Sequence, residues 1–97
     1  MFHVYLLRSI KNPLMTYVGF TTKDFRERIE EHNRGITRTT SAHIPWQIEV
    51  IVSFQEREKA EAFERYLKGG SGYAFAKRHF WSKAFAKRAE QKMFGGE

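Results

Sequence analysis

The sequence predicts an α+β fold, with a small three-stranded antiparallel sheet flanked by helices in the order β-β-α-β-α-α. Three observations lead there. Short apolar runs with strand-forming residues occupy 3–8, 15–20 and 47–54. Stretches with apolar residues at helical spacing follow the second and the third run. Three strands cannot close a barrel, so helices must cover at least one face of the sheet.

His3 to Arg8 is the first expected strand, and Lys11-Asn12-Pro13 is a turn signal after it. Met15 to Phe20 is the second, so the pair forms a hairpin. Asp24 is placed to cap a helix over about Phe25 to Arg34, whose inner face carries Phe25, Ile29 and His32 at i, i+4 and i+7. Gly35 stops that helix as a C′ residue. Residues 36–46 form a polar loop rich in Thr and Ser. Gln47 to Phe54 is the third strand. A second helix spans Gln55 to Lys68 with Ala60, Phe63 and Leu67 as its buried stripe. Gly69-Gly70 ends it, and Ser71 is placed to cap a third helix reaching about Arg88. Residues 1–90 make one domain, and 91–97 are expected to fray.

The 97 residues fit one small domain, and 41% hydrophobic residues with nine Phe supply a core. The absence of cysteine excludes disulfides and thiolate metal sites. No run of 18 apolar residues occurs, so no membrane span is expected. The first eight residues lack a basic leader and read as a strand, which points to a cytoplasmic location. Lys and Arg balance Asp and Glu over residues 1–64, so the net charge of +6 arises entirely from 65–97. That basic third favours a polyanion through release of its counterions. Ala74 to Arg78 recurs as Ala84 to Arg88, an echo at nearly three helical turns.

His3-Val4-Tyr5 and Tyr17-Val18-Gly19 lie eleven residues apart on neighbouring expected strands. Arg28 and His32 share one face of the following helix. Glu64 borders the apolar stripe of the next. This combination resembles the GIY-YIG nuclease superfamily over roughly residues 2–80, notably the N-terminal (URI) domain of the excinuclease and structure-specific relatives. The first motif departs from Gly-Ile-Tyr at two of three positions.

The resemblance implies a phosphodiester hydrolase using Mg2+ or Mn2+. It makes Tyr5 the base or water-positioning group, which at an ordinary phenol pKa of ~10 needs a nearby cation. Tyr17 becomes its supporting partner and Gly19 makes room at the site. Arg28 clamps the phosphate with a permanently charged, two-pronged guanidinium, with Arg26 as competitor. His32 relays a proton or binds phosphate. Glu64 holds the metal, with Glu56, Glu58 and Glu61 as alternatives, since one carboxylate plus waters and substrate oxygens is an ordinary magnesium arrangement.

Lys68, Lys77 and Arg78 are candidate contacts to backbone phosphates, and Arg38 sits in a hydroxyl-rich loop over Thr37 to Ser41 that is a further DNA-contact candidate. Trp46, Phe80 and Trp81 read as core or rim residues. No reader motif occurs, so branched, nicked or damaged DNA is the expected substrate, with a partner protein as another source of specificity. The competing readings are a catalytically decayed nucleic-acid-binding module and a protein-interaction domain on the same fold.

Overall fold

The computed structural model describes residues 1–82. Three strands, β1 (Phe2–Ser9), β2 (Thr16–Thr21) and β3 (Trp46–Phe54), form one antiparallel sheet in the order β2-β1-β3. Helix α1 (Phe25–Asn33) lies between β2 and β3 in sequence, and α2 (Arg57–Leu67) and α3 (Gly70–His79) follow. The α+β class and the β-β-α-β-α-α order are as expected, and a 3-10 turn (Ser41–His43) adds to them.

The central strand has no solvated side. Val4, Leu6 and Leu7 are fully buried and Tyr5 is 1% exposed. Successive side chains point to opposite faces, so β1 feeds two separate cores. Val4 and Leu6 pack with Ala60, Leu67 and Ala76, which places α2 and α3 over one face. Tyr5 and Leu7 pack with Ile29 and Trp46, which places α1 over the other. Fully burying one such leucine contributes ~1.5–3 kcal/mol.

A register shift between Leu6 and Leu7 sets Leu6 opposite Val50 but Leu7 opposite Ile48. The extra residue, Glu49, marks a bulge in β3. It explains why the alternation of 47–54 is only moderate, because the apolar side of β3 changes parity there. Both Trp46 and Ile51 thereby reach the α1 face.

Asp24 caps α1 by accepting from the Arg26 amide at 2.8 Å. Gly35 follows the helix with φ 79°, a conformation that favours glycine. Helix α3 departs from expectation at both ends. Its N-cap is Gly69 without a side-chain cap, so Ser71 does not serve, and it stops at His79. Phe80 and Trp81 turn back onto the core that α2 and α3 share, and Arg8 stacks on Trp81 with 5.5 Å to the ring centroid. Packing of these two rings ends a helix that composition alone would extend. The expected continuation past residue 82, the second copy of the basic echo and the fraying tail lie outside the described residues.

Candidate active site

Four elements meet around the phenol of Tyr5. Pairing of β1 with β2 sets Tyr5 opposite Gly19 and Leu7 opposite Tyr17. The space Gly19 lacks is filled by the Tyr5 ring, since a Cβ there would lie 2.3–2.6 Å from the ring and its oxygen. Gly19 therefore stands in the interior of β2, buried, and makes room for Tyr5 itself. The room expected of this glycine is thus taken by the Tyr5 ring, so Gly19 acts on a substrate only through Tyr5.

The rings of Tyr5, Tyr17 and His32 form a cluster, with centroids 6.3 Å apart for Tyr5–Tyr17, 5.6 Å for Tyr5–His32 and 5.2 Å for Tyr17–His32. The Tyr5 hydroxyl is 2.8 Å from His32 Nε2. His32 is fully buried, and its Nδ1 lies 2.8 Å from Thr40 Oγ1. With both ring nitrogens engaged inside the protein, His32 has no atom left for a phosphate. Of the two roles expected for it, the buried geometry supports only proton relay.

Arg28 pairs with Glu31 at 2.8 Å, one turn along α1, and its positive charge acts to lower the Tyr5 pKa. Burial pushes the Tyr5 phenol up to about 12, against the smaller opposing effect of Arg28. The cation required for a phenolate is thus present, yet desolvation outweighs it and the phenol stays neutral near pH 7. Tyr5 cannot act as a preformed phenolate, and any base role needs an acceptor for its own proton.

Glu64 on α2 contributes its charge to the same phenol. It accepts from Lys68 Nζ at 3.0 Å, and that ammonium lies 6.0 Å from the centre of the Tyr17 ring. Among the described residues no group of three or more His, Asp or Glu is arranged as a metal cage. Mg2+ commonly takes one or two carboxylates and fills its shell with water and phosphate oxygens, so the partly exposed Glu64 carboxylate fits such an ion once it exchanges Lys68 for it.

The other expected contacts are not part of this cluster. Arg38 is exposed on the 34–45 loop, and Lys77 and Arg78 are exposed in the last turn of α3. Among the described residues, no hydrogen bond or ion pair ties any of these three side chains to the site. Arg26 points away, over the Phe25 ring and toward Asp24, so Arg28 is the arginine at the phenol. Glu61 and Glu56 pair with Arg57 and Lys59 at 3.2 and 3.9 Å, as Glu64 does with Lys68, but of these carboxylates only Glu64 is felt at the Tyr5 phenol. Thr40, in the loop expected to touch DNA, is instead 1% exposed and bonded to His32. No spacing in the sequence signals its part, because the contact depends on how the loop folds back.

Asn33 and Trp46 hold the two ends of that loop together. Trp46 N donates to Asn33 Oδ1 at 2.6 Å, and Asn33 Nδ2 donates to Trp46 O at 3.1 Å. The far side is tied to the hairpin by Ile10 N to Pro45 O at 2.8 Å and Ser9 Oγ to His43 O at 2.6 Å.

The same groups set a pH dependence of stability. Burial, then the charge of Arg28, holds the His32 pKa below its ordinary 6.5. Lys23 at 2.7 Å and Arg28 hold the Glu31 carboxyl down at about 2. Both folded-state values lie below the unfolded ones, so each group stabilises fully above its unfolded pKa and loses that contribution as pH falls. Chemical denaturation followed by circular dichroism is expected to show stability declining below pH ~6.5 as unfolded His32 takes up a proton, and again from ~4.5 toward 2. In Glu31→Gln the second decline shrinks and the first remains.

Residues 1–78 match the GIY-YIG catalytic domain. Over 72 residues the chain is 44% identical to the structure-specific endonuclease subunit SLX1 of Yarrowia lipolytica (strain CLIB 122 / E 150), covering 67% of this chain. The chain spans about a quarter of that relative's length. With the family match extending over four-fifths of its length, the chain belongs to the GIY-YIG family of nucleases.

Proposed function

We propose that this chain is a Mg2+- or Mn2+-dependent endonuclease that hydrolyses phosphodiester bonds in branched or nicked DNA, in the service of DNA repair. The observation that supports this most is the buried chain of contacts from Tyr5 through His32 to Thr40, joined by elements β1, α1 and the loop after it, with the charges of Arg28 and Glu64 acting on the Tyr5 phenol. Tyr17 of β2 lines the same place.

In this reading the attacking water donates its proton to the Tyr5 oxygen as Tyr5 passes its own proton to His32 Nε2. The water oxygen bonds to phosphorus, the P–O bond to the leaving oxygen breaks, and His32 ends as imidazolium. Burial keeps His32 neutral beforehand, so it is ready to accept. Arg28 neutralises the charge gained by the phosphate oxygens as the transition state forms. Glu64 would hold the metal, which when bound supplies positive charge at the phosphate and leaving oxygen. Lys68, Arg38, Lys77 and Arg78 contact the DNA backbone, where they supply affinity without reading sequence.

Preference for DNA structure over sequence is supported by the SLX1 relative, named as structure-specific and as a subunit. A partner protein that supplies specificity follows from the same likeness. The cysteine-free chain suits a reducing, cytoplasmic setting, and no helix among the described residues is long and apolar enough to cross a membrane.

The test is single-turnover cleavage of flap, junction, nicked and linear DNA of matched length, with Mg2+ or Mn2+. Faster cutting of the branched or nicked forms is expected. Salt-sensitive binding of every form with no cutting under either ion defeats this reading and favours the decayed binding module.

A further inference from the structure

Thr40 is a buried hydroxyl that the proposed chemistry does not use directly, and its bonds fix the position of a proton on the neighbouring imidazole. Its Oγ1 lies 2.8 Å from His32 Nδ1 and 3.4 Å from the Thr37 carbonyl. A carbonyl only accepts, so the hydroxyl proton that goes to Thr37, whose carbonyl also takes the Thr40 and Ser41 amides at 3.2 and 3.1 Å, leaves the Thr40 oxygen as an acceptor. That arrangement puts the His32 proton on Nδ1.

The other end of the chain of bonds agrees. The Tyr5 phenol stays neutral, so it keeps a proton of its own to place. Its own proton needs an acceptor, and among the described residues His32 Nε2 at 2.8 Å is the one in place. Were His32 protonated on Nε2 instead, that N–H would donate to the phenol oxygen and the buried phenolic proton would have no partner among the described residues. A buried polar group left unpaired loses its hydration with nothing in return.

Thr40 is itself held. Trp46 Nε1 donates to its carbonyl at 2.9 Å, and its amide donates to Thr37 O at 3.2 Å. The Asn33–Trp46 clasp fixes Trp46 in turn. The 34–45 loop therefore holds this hydroxyl in place behind the imidazole.

We infer that Thr40 is a positioning residue of this site: its hydroxyl fixes His32 as the Nδ1–H tautomer, leaving Nε2 bare to receive the proton of Tyr5. The part concerning catalysis rests on the nuclease reading above, whereas the tautomer does not. The groups facing His32 are Tyr5 from β1, Tyr17 from β2, and Arg28 and Glu31 from its own helix, with Glu64 of α2 acting on Tyr5. None of these replaces Thr40 as partner of Nδ1.

The experiment uses the 97-residue chain with 15N-labelled histidine, at a pH where His32 is neutral. Long-range 1H–15N spectra distinguish a protonated from a bare ring nitrogen, and the His32 signals are identified by their loss in His32→Gln. Wild type and Thr40→Ser are expected to show Nδ1 protonated and Nε2 bare. Thr40→Val, which keeps the shape and removes the hydroxyl, is expected to shift His32 toward the Nε2–H form or a mixture. Thr40→Ala serves in its place if the valine variant does not fold. Single-turnover cleavage of a branched DNA should then fall by ~10- to 100-fold in Thr40→Val and return to within about threefold in Thr40→Ser, as general-base catalysis of ~10^2–10^4 is partly lost. An unchanged Nδ1–H pattern in the variant lacking the hydroxyl overturns the inference. A tautomer shift in a protein that cuts no DNA upholds the tautomer assignment and removes the nuclease reading instead.

Discussion

Tyr5→Phe is expected to lower single-turnover cleavage by ~10^2–10^4, the usual range for removing a proton-transferring group. The ring stays, so the packing over Gly19 and against His32 is retained. What disappears is the hydroxyl that is 2.8 Å from His32 Nε2. His32→Gln is expected to cost a similar factor, because a neutral Tyr5 can take a proton only while giving one up. The decisive feature is non-additivity. If the two act as one relay, the double variant is hardly slower than either single one, as for other residues that work as a unit. Independent roles would instead multiply the two losses. Activity should also fall as pH drops, with the midpoint below 6.5, where the neutral His32 required as acceptor becomes protonated. In Thr40→Ser that acid limb should stay where it is.

Arg28→Ala is expected to reduce cleavage by ~10^2–10^3, the cost of deleting one donor aimed at developing charge. Arg28→Lys should recover little of it, because an ammonium cannot serve Glu31 and grip two phosphate oxygens together as a planar guanidinium can. The variant also leaves Glu31 with Lys23 alone, an exposed pair of small worth. Stability should therefore change far less than rate. Thermal unfolding by circular dichroism checks this separation: a large fall in melting temperature with proportionate loss of rate would mean that Arg28 acts through the fold and not through the phosphate.

Much of this architecture is legible in the sequence because period and punctuation agree locally. Strand alternation, the Asp24 cap and Gly35 each fix α1 and its neighbours without long-range information. Tyr5, Tyr17, Arg28 and Glu64 are identifiable because their order along the chain resembles the GIY-YIG motifs; periodicity alone would leave the tyrosines as packing residues and Glu64 as a solvated partner of Lys68. The protonation state of Tyr5 is not legible. It follows from the competition between burial and Arg28, and that balance needs three-dimensional packing. The buried role of Thr40 is hidden for a similar reason, since a Thr- and Ser-rich loop carries no period and its closure depends on Asn33 meeting Trp46. The end of α3 at His79 escapes sequence reasoning because Ala, Lys and Arg favour a helix, whereas the packing of Phe80 and Trp81 against the core overrides that preference.

Glu64 as the metal-holding group beside the phenol is the centre of the proposed chemistry. The direct test is cleavage of a branched DNA in Mg2+ by wild type and Glu64→Gln, at protein concentrations above the Kd of both. The expected result is DNA binding unchanged within about threefold, with cleavage lowered by ~10^3 or more, as when a group acting only in the transition state is removed. Cleavage by Glu64→Gln within a few-fold of wild type would contradict the site.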